Sequence, residues 1–370
     1  MAESTLYVGI DLHQDSVAIA VLRDWAQECE AVDMLPSDLV KLRRYFTKLR
    51  ARGEVRACYE ASGCGYVLQR ALTSWGVSCE VIAPSLIPVR SGDRRKTDRR
   101  DAVKLARHYR AGDLVPIRVP DQAEERVRTL VRCRETLTRE ILRSRHYVLK
   151  LLQARGVRYQ QGKHWTLTHW RWLREVRLEG EDQTTLATYL ALLDFKIEQR
   201  RVLDVRIAEI AQEPAYRDAV ALLRCLRGID TLSAMTLVTE IGDVRRFASP
   251  RQLMGYLGLT VSEYSSGESE RRGGITKAGN SRCRRVLVEA AWHYRHPPAI
   301  STALRERQQG QAPDVLAHAS RAQRRLHARF VRLGSRMAPS KVVVAVAREL
   351  VGFVWALLRR EPHLLLARSA

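Results

Sequence analysis

Tyr7-Val8-Gly9-Ile10-Asp11-Leu12 is the stretch from which the rest of the chain can be read. It is a β-prone apolar run carrying one acid, and a carboxylate inside such a strand is costly unless it reaches a partner or a cation. Two further stretches place acids at the edges of regular structure. Ala57-Cys58-Tyr59-Glu60 ends a strand-like run on a carboxylate. Lys96-Thr97-Asp98-Arg99-Arg100-Asp101-Ala102 opens a helix with two acids three residues apart, hence on one face. Brought together, Asp11, Glu60, Asp98 and Asp101 form a donor set for hard divalent cations. Two such ions about 4 Å apart activate a nucleophile and stabilise the leaving oxygen at a phosphodiester. The acids also have plainer readings. Thr97 or Asp98 caps the helix with Asp101 completing a capping-box-like start, and Glu60 before Ala61-Ser62-Gly63 is a strand-end acid. Asp11 is the hardest to explain in that way.

Working outward, residues 5–12 and 16–22 are β-rich runs joined by His13-Gln14-Asp15, the pattern of a hairpin, and a third run follows at Ala31–Leu35. Pro36-Ser37-Asp38 opens a helix with Leu39, Leu42 and Phe46 at helical spacing. Then come a strand (Val55–Glu60), a helix (Tyr66–Trp75) ended by Gly76, a strand (Ser78–Ala83) and a helix from Asp98 to about Tyr109. The order βββαβαβα is that of the ribonuclease-H-like fold, with strands 1, 4 and 5 expected parallel. Gly9-Ile10-Asp11 also resembles the first phosphate loop of actin- and sugar-kinase-type ATPases. The second phosphate strand those proteins need, of the Asp-x-Gly-Gly-Thr kind, is not found in the sequence.

Pro116 and Pro120 mark a boundary, beyond which strand signals become scarce. Val127, Leu130, Leu137, Ile141, Val148 and Leu151 follow a 3–4 spacing, with Arg134 and Ser144 at the two missed positions. Leu186, Leu190, Leu193, Ile197, Leu203, Ile207 and Ile210 follow the same rule. Two long helices joined around Gly180 therefore read as an antiparallel helical hairpin or a coiled-coil dimer arm. From about residue 220 a second compact domain begins. Leu226-Arg227-Gly228-Ile229-Asp230 and the helix after it resemble half of a helix-hairpin-helix element, in which turn amides can hold a phosphate. The expected class is α/β plus α: a catalytic domain over 1–115, a helical coiled-coil arm over 116–219 and a mainly α domain over 220–370.

Composition narrows the partners. The 63 Lys+Arg against 41 Asp+Glu give a formal charge of +22, which favours a polyanion. Seven scattered cysteines with no C-x-x-C argue against a zinc site and a disulfide framework, and for a reducing compartment. The N-terminus lacks the regions of a signal peptide, and Val342–Leu358 is interrupted by Arg348 and Glu349. A soluble, intracellular protein with no membrane partner is expected. Ser265-Ser266-Gly267 lies in a polar stretch flanked by Arg271, Arg272 and Lys277, with Arg282, Arg284 and Arg285 beyond. A serine needs activation or a cationic, metal-bearing environment to attack phosphorus, and on its own Ser-Ser-Gly is a solvated turn. These six cations suit the phosphates of a strand near the serine, and Arg90, Arg94, Arg95, Arg99 and Arg100 those near the acids. No zinc-finger or RNA-recognition signature supplies a code for target choice.

The chain as a whole resembles the insertion sequence one-ten family of transposases, which includes the Piv-type DNA invertases. These are DEDD recombinases, some of them guided by a bridge RNA. The residues that carry the resemblance are Gly9-Ile10-Asp11, Glu60, Lys-Thr-Asp-x-x-Asp-Ala at 96–102, and the segment from Gly255 through Ser266-Gly267 to Asn280. Leu12-His13-Gln14 departs from the shorter apolar-Ser/Ala-Lys sequence of many relatives. The resemblance implies a RuvC-like N-terminal domain whose metal tetrad is Asp11, Glu60, Asp98 and Asp101, with Mg²⁺ as the cation and Mn²⁺ as a substitute. It implies an arm used in assembly and a C-terminal domain supplying a serine nucleophile, Ser266 with Ser265 as competitor. Donor and target double-stranded DNA, a noncoding guide RNA and a homodimer or homotetramer are the partners it implies, in the nucleoid-associated cytoplasm of a bacterium or archaeon. A metal-only nuclease of the Holliday-junction-resolvase type is the nearest rival, and a basic architectural protein with a degenerate tetrad is the rival from another class.

Overall fold

Strand β1 (Thr5–Leu12) is the middle of a five-stranded sheet ordered β3-β2-β1-β4-β5, where β2 is Ser16–Arg23, β3 Ala31–Pro36, β4 Glu54–Glu60 and β5 Ser78–Ile82. The β1–β2 and β2–β3 pairs are antiparallel, while the β1–β4 and β4–β5 pairs are parallel. The computed structural model describes residues 4–88, 97–264, 269 and 271–360. The chain falls into two units, 1–121 and 122–370.

Alternation along β1 assigns its two faces. Leu6, Val8 and Ile10 are buried with Val17, Ile19 and Val21 beneath helices α1 (Leu39–Arg50) and α2 (Val67–Ser74). Helix α1 starts where the Asp38 carboxylate accepts the amides of Val40 and Lys41, and it buries Leu42, Phe46 and Leu49 at helical spacing. Tyr7, Gly9 and Asp11 are on the opposite face, which helix α3 (Asp98–Ala111) covers. Ala102 and Ala106 of α3 meet Ala18, Ala20 and Leu22, so small residues on both sides bring the helix close to the sheet. The expected element order and the parallel strands are both present.

The second unit begins with α4 (Gln122–Ala154), α5 (Leu167–Glu175) and α6 (Gly180–Ile210). The long helices α4 and α6 pack antiparallel: Arg134 pairs with Asp204 at 2.6 Å, Lys196 donates to Ser144 Oγ at 2.9 Å, and Arg155 pairs with Asp182 at 2.9 Å. Arg134 and Ser144, the two breaks in the apolar repeat of α4, are thus polar cross-helix contacts. Ile141, Val148, Leu152, Leu186 and Leu193 fill the seam, and Leu173 from α5 closes it at one end.

The remainder is helical: α7 (Arg217–Arg224), α8 (Thr231–Ile241), α9 (Pro250–Tyr256), α10 (Ser281–Trp292), α11 (Thr302–Gln308), α12 (Pro313–Gly334) and α13 (Pro339–Leu358). A two-stranded antiparallel ladder, β6 (Val261–Glu263) with β7 (Arg272–Ile275), interrupts it. Helix α13 is the centre of this unit, with Val342, Val346, Leu350, Val354 and Leu357 fully buried. Glu349, which breaks its apolar run, pairs with Arg325 and Arg329 of α12. No helix among the described residues is long and apolar enough to cross a membrane.

Candidate active site

Gly9 sets the geometry of the acids. A Cβ at this position would overlap the carbonyl oxygen of Ala102 and the amide nitrogen of Ala106, so the absent side chain lets α3 lie directly on β1. The first turn of α3 therefore falls beside the C-terminal end of β1. Thr97 caps the helix through Oγ1, which accepts the Arg100 amide at 3.4 Å. The cap reading of Thr97 is thus met by the threonine itself, and Asp98 and Asp101 are not needed for it. Acids in a first turn also complement the helix dipole.

Asp11 and Asp98 come together, joined by a residue that in the sequence is only a departure from pattern. His13 Nε2 stands 3.3 Å from Asp11 Oδ2 and 3.5 Å from Asp98 Oδ1. One ligand atom from each of the three lies within 4.8 Å of the others. The β1–β2 turn brings the imidazole back: the His13 amide donates to Ser16 O at 2.9 Å. Burial is the main force raising the Asp11 carboxyl above its usual range; His13 opposes the shift, and Asp101 and Asp98 add to it. Asp101 is thus within electrostatic reach of Asp11. Glu60 ends the neighbouring strand, exposed; since Ile10 pairs with Tyr59, the register places Glu60 beside Asp11 on the face that α3 covers. Neither Glu60 nor Asp101 belongs to the group of three. Two carboxylates converging with an imidazole suit a divalent cation, and the nitrogen donor is compatible with Mn²⁺ as a substitute for Mg²⁺.

The outer side of α3 is basic. Arg99, Arg100, Lys104 and Arg107 line a groove of about 550 Å³ beside Val32 of β3. Arg90, Arg94 and Arg95 lie outside the described residues, as do Ser265, Ser266 and Gly267.

The segment that carries the second set of predicted residues is held by a crossing of two backbones. A Cβ on Gly258 would overlap the carbonyl of Ala278, and one on Gly279 the carbonyl of Tyr256. Both glycines have positive φ, +63° and +89°, and Lys277, whose amide meets Gly258, adopts +55°. Three amides stitch the crossing: Thr276 to Thr260 O at 2.8 Å, Lys277 to Gly258 O at 3.1 Å, and Asn280 to Tyr256 O at 3.0 Å. Asn280 then caps α10, its Oδ1 accepting the amides of Arg282 and Cys283.

Glu240 anchors that cap, and sequence reasoning missed it. Its carboxylate is nearly inaccessible, yet it accepts Asn280 Nδ2 at 2.7 Å and a forked pair from Arg132 at 2.6 and 2.8 Å. Of the predicted phosphate-binding residues, Arg282 pairs with Glu135, as does Arg285 at 3.3 Å, and Arg284 donates to Leu257 O at 2.7 Å. Arg271 and Lys277 are exposed, and Arg272 sits in β7. All seven cysteines are free, and most are held up in pKa by burial, which agrees with the absence of a disulfide framework.

Two family comparisons match separate parts of the chain. Residues 8–155 fit the DEDD transposase model of the IS110 group, described as Transposase, and residues 220–304 fit the model described as Transposase IS116/IS110/IS902 family. Among individual proteins, the chain is similar to a putative transposase, y4qE, of Sinorhizobium fredii, with 42% identity over 95% of this chain and 88% of that protein. It is 33% identical to the transposase for insertion sequence element IS1533 of Leptospira borgpetersenii, over 88% of this chain and 95% of that protein. The transposase for insertion sequence element IS1111A of Coxiella burnetii is 22% identical over 96% of this chain and 90% of that protein.

Proposed function

We propose a serine-based strand transfer from one premise: the chain belongs to the IS110 family of transposases, enzymes that cleave and transfer DNA strands. The observation that carries the proposal is the convergence of Asp11 and Asp98 where α3 meets the end of β1. Asp11, Glu60, Asp98 and Asp101 would hold the divalent cation, Mg²⁺ with Mn²⁺ as substitute, and His13 would add a nitrogen donor. A cation bound there supplies Lewis-acid polarisation of the scissile phosphate. Ser266 Oγ, with Ser265 as its competitor, bonds to phosphorus as the bond to the leaving sugar oxygen breaks, and the hydroxyl proton ends on that oxygen. One phosphodiester replaces another, so rejoining needs no nucleotide cofactor. Arg271, Arg272 and Lys277 would steady the strand near the serine.

The 1–115 catalytic domain and the 220–370 serine domain would form a composite site in a homodimer or homotetramer assembled through the 116–219 arm. Support for that assembly comes from an unpartnered apolar stripe on α6, where Leu192, Phe195, Val202 and Val205 are exposed. Selection of donor and target duplexes would fall to a noncoding guide RNA, in keeping with the lack of a protein base-reading motif.

The test is a denaturing gel of the protein, co-expressed with its flanking DNA and then mixed with donor and target duplexes and Mg²⁺. A covalent protein–DNA band that vanishes with EDTA, with Asp11→Asn and with Ser266→Ala is expected. Its loss in Ser265→Ala alone would move the nucleophile by one residue. Free cleaved DNA with no adduct, indifferent to both serine changes, would replace strand transfer through serine by metal-only cleavage.

A further inference from the structure

We propose that Glu240 is a positioning residue for strand transfer: by gripping both Asn280 and Tyr256 it fixes the two roots of the β6–β7 ladder, from which the serine-bearing segment runs. That role rests on the serine reading above for what is positioned, and on the surroundings of α8 for how.

Glu240 is out of keeping with its helix. Ala234, Met235, Leu237, Val238 and Ile241 of α8 are all buried, and the Glu240 side chain among them is 1% exposed. A lone carboxylate would be costly there, and a well-packed apolar side chain would serve stability as well. What the acid adds is directional contact. Its Oε2 accepts Asn280 Nδ2 at 2.7 Å and Arg132 Nη2 at 2.8 Å, and its Oε1 accepts Arg132 Nε at 2.6 Å. Its main-chain carbonyl, in the last turn of α8, accepts the Tyr256 hydroxyl at 3.1 Å.

Tyr256 and Asn280 stand at the two ends of the glycine crossing. Tyr256 closes α9 two residues before Gly258, and Asn280 follows Gly279 and opens α10. One acidic residue therefore holds the chain where it enters the crossing and where it leaves. The ladder rises between those points: Val261 pairs with Ile275, Glu263 with Arg272, and the Tyr264 amide donates to Arg271 O at 2.9 Å. Residues 265–270, with Ser265 and Ser266, continue from that far end. Tyr256 is pinned in turn, with the Arg246 guanidinium 4.4 Å from its ring centroid and the Phe247 ring at 5.2 Å. The whole grip is based on α4, since Arg132 meets Glu240 and Arg282 pairs with Glu135. A displacement of about 1 Å at a reacting group can cost about a hundredfold in rate, so slack at these roots is read first in the chemistry.

The experiment reverses the polarity of the grip. Asn280→Asp keeps an oxygen to cap α10, because Asn and Asp serve equally there, but it turns the donor facing Glu240 into a second acceptor. Adding Glu240→Gln restores one donor and one acceptor in the opposite sense. The full-length proteins, co-expressed with their flanking DNA, are mixed with saturating donor and target duplexes and Mg²⁺. The assay is run at about pH 8.5, where two facing carboxylates do not share a proton. Adduct formation is timed in a single turnover, beside duplex affinity in EDTA, thermal melting, and hydrogen exchange of the Thr276, Lys277 and Asn280 amides. Asn280→Asp is expected to slow the single turnover about a hundredfold and to speed exchange at those three amides. Affinity and the protection of α13 should be unchanged, and the double variant should recover most of the rate. If Asn280→Asp melts too early to assay, Tyr256→Phe loosens the other root while keeping the ring, with the same expectation for rate against affinity. A folded single variant with wild-type rate, or one with unchanged exchange, overturns the role. So does a double variant that regains protection but not rate. Wild-type protein that cleaves DNA without an adduct marks the failure of the serine reading, seen before any variant is compared, and the positioning role falls with it. Failure of the role alone leaves the wild-type adduct in place.

Discussion

Gly9 and Glu240 show how much one position can control. Gly9→Ala puts a methyl group against the backbone of α3, and overpacking of this kind costs about 1–3 kcal/mol. The helix must lift, taking Asp98 away from Asp11. The expected outcome is a lower urea midpoint and loss of most adduct formation, with DNA binding in EDTA retained. Glu240→Ala removes the acceptor of the Arg132 fork and the Asn280 amide; Arg132 is 41% exposed and can turn to water, so the cost is that of lost charge-assisted hydrogen bonds, about 1–3 kcal/mol. Urea melts should show that loss, and Glu240→Gln, which keeps an acceptor for Asn280, should lose less. The two residues differ in how they could be read. Gly9 stands two positions before an acid in an apolar strand, so its neighbourhood was legible. Glu240 sits in an apolar helix, and its partners are 108 and 40 positions away in the chain, a pairing no local pattern carries. His13 was visible as a residue, but its role depends on the turn that folds it back over Asp11.

The antiparallel pair α4 and α6 was legible as a repeat, and its polar breaks were not. Arg134 and Ser144 interrupt the apolar spacing because Asp204 and Lys196 meet them from the opposite helix, and a single helix gives no sign of that. Helix α5 escaped notice for a different reason: its nine residues bury little beyond His169 and Leu173, too short a run for a periodic signal. His169 is fully buried among Tyr159, His164, Trp165 and Trp172, and its Nδ1 accepts the Trp165 amide at 3.0 Å. Burial, then the neighbouring His164, lowers its pKa from 6.5 to about 4. Between those values the unfolded chain binds a proton that the folded chain does not, so stability falls as pH drops and is fully present above 6.5. The loss by pH 4 amounts to about 3 kcal/mol. Thermal melts at pH 7 and pH 5 should separate accordingly, and His169→Asn, whose amide oxygen can still accept from Trp165, should narrow the gap.

At the scale of the whole molecule, the formal charge of +22 pointed to a polyanion from composition alone. That figure is an excess and does not say which cations supply it: Arg282, Arg285, Arg325 and Arg329 are all paired with carboxylates of the same chain. Counting arginines therefore locates a partner only coarsely, because the count does not say which of them already meet carboxylates within the chain. Assembly is tested at the same scale. Phe195 is 62% exposed on α6, so Phe195→Glu should fold normally and shift the sedimentation profile toward a single chain. The crossing of Gly258 and Gly279 has a further consequence, for the chain as a polymer. The main-chain bonds from Gly258 to Lys277 and from Thr260 to Thr276 close everything between them into a ring. The entropy of such a closure grows only with the logarithm of its length, about 0.6 kcal/mol for each doubling. Insertions between Glu263 and Arg271 should therefore cost the fold little, so one that abolishes the covalent adduct with an unchanged melting temperature would separate the serine's part in the reaction from the stability of the α8–α10 framework.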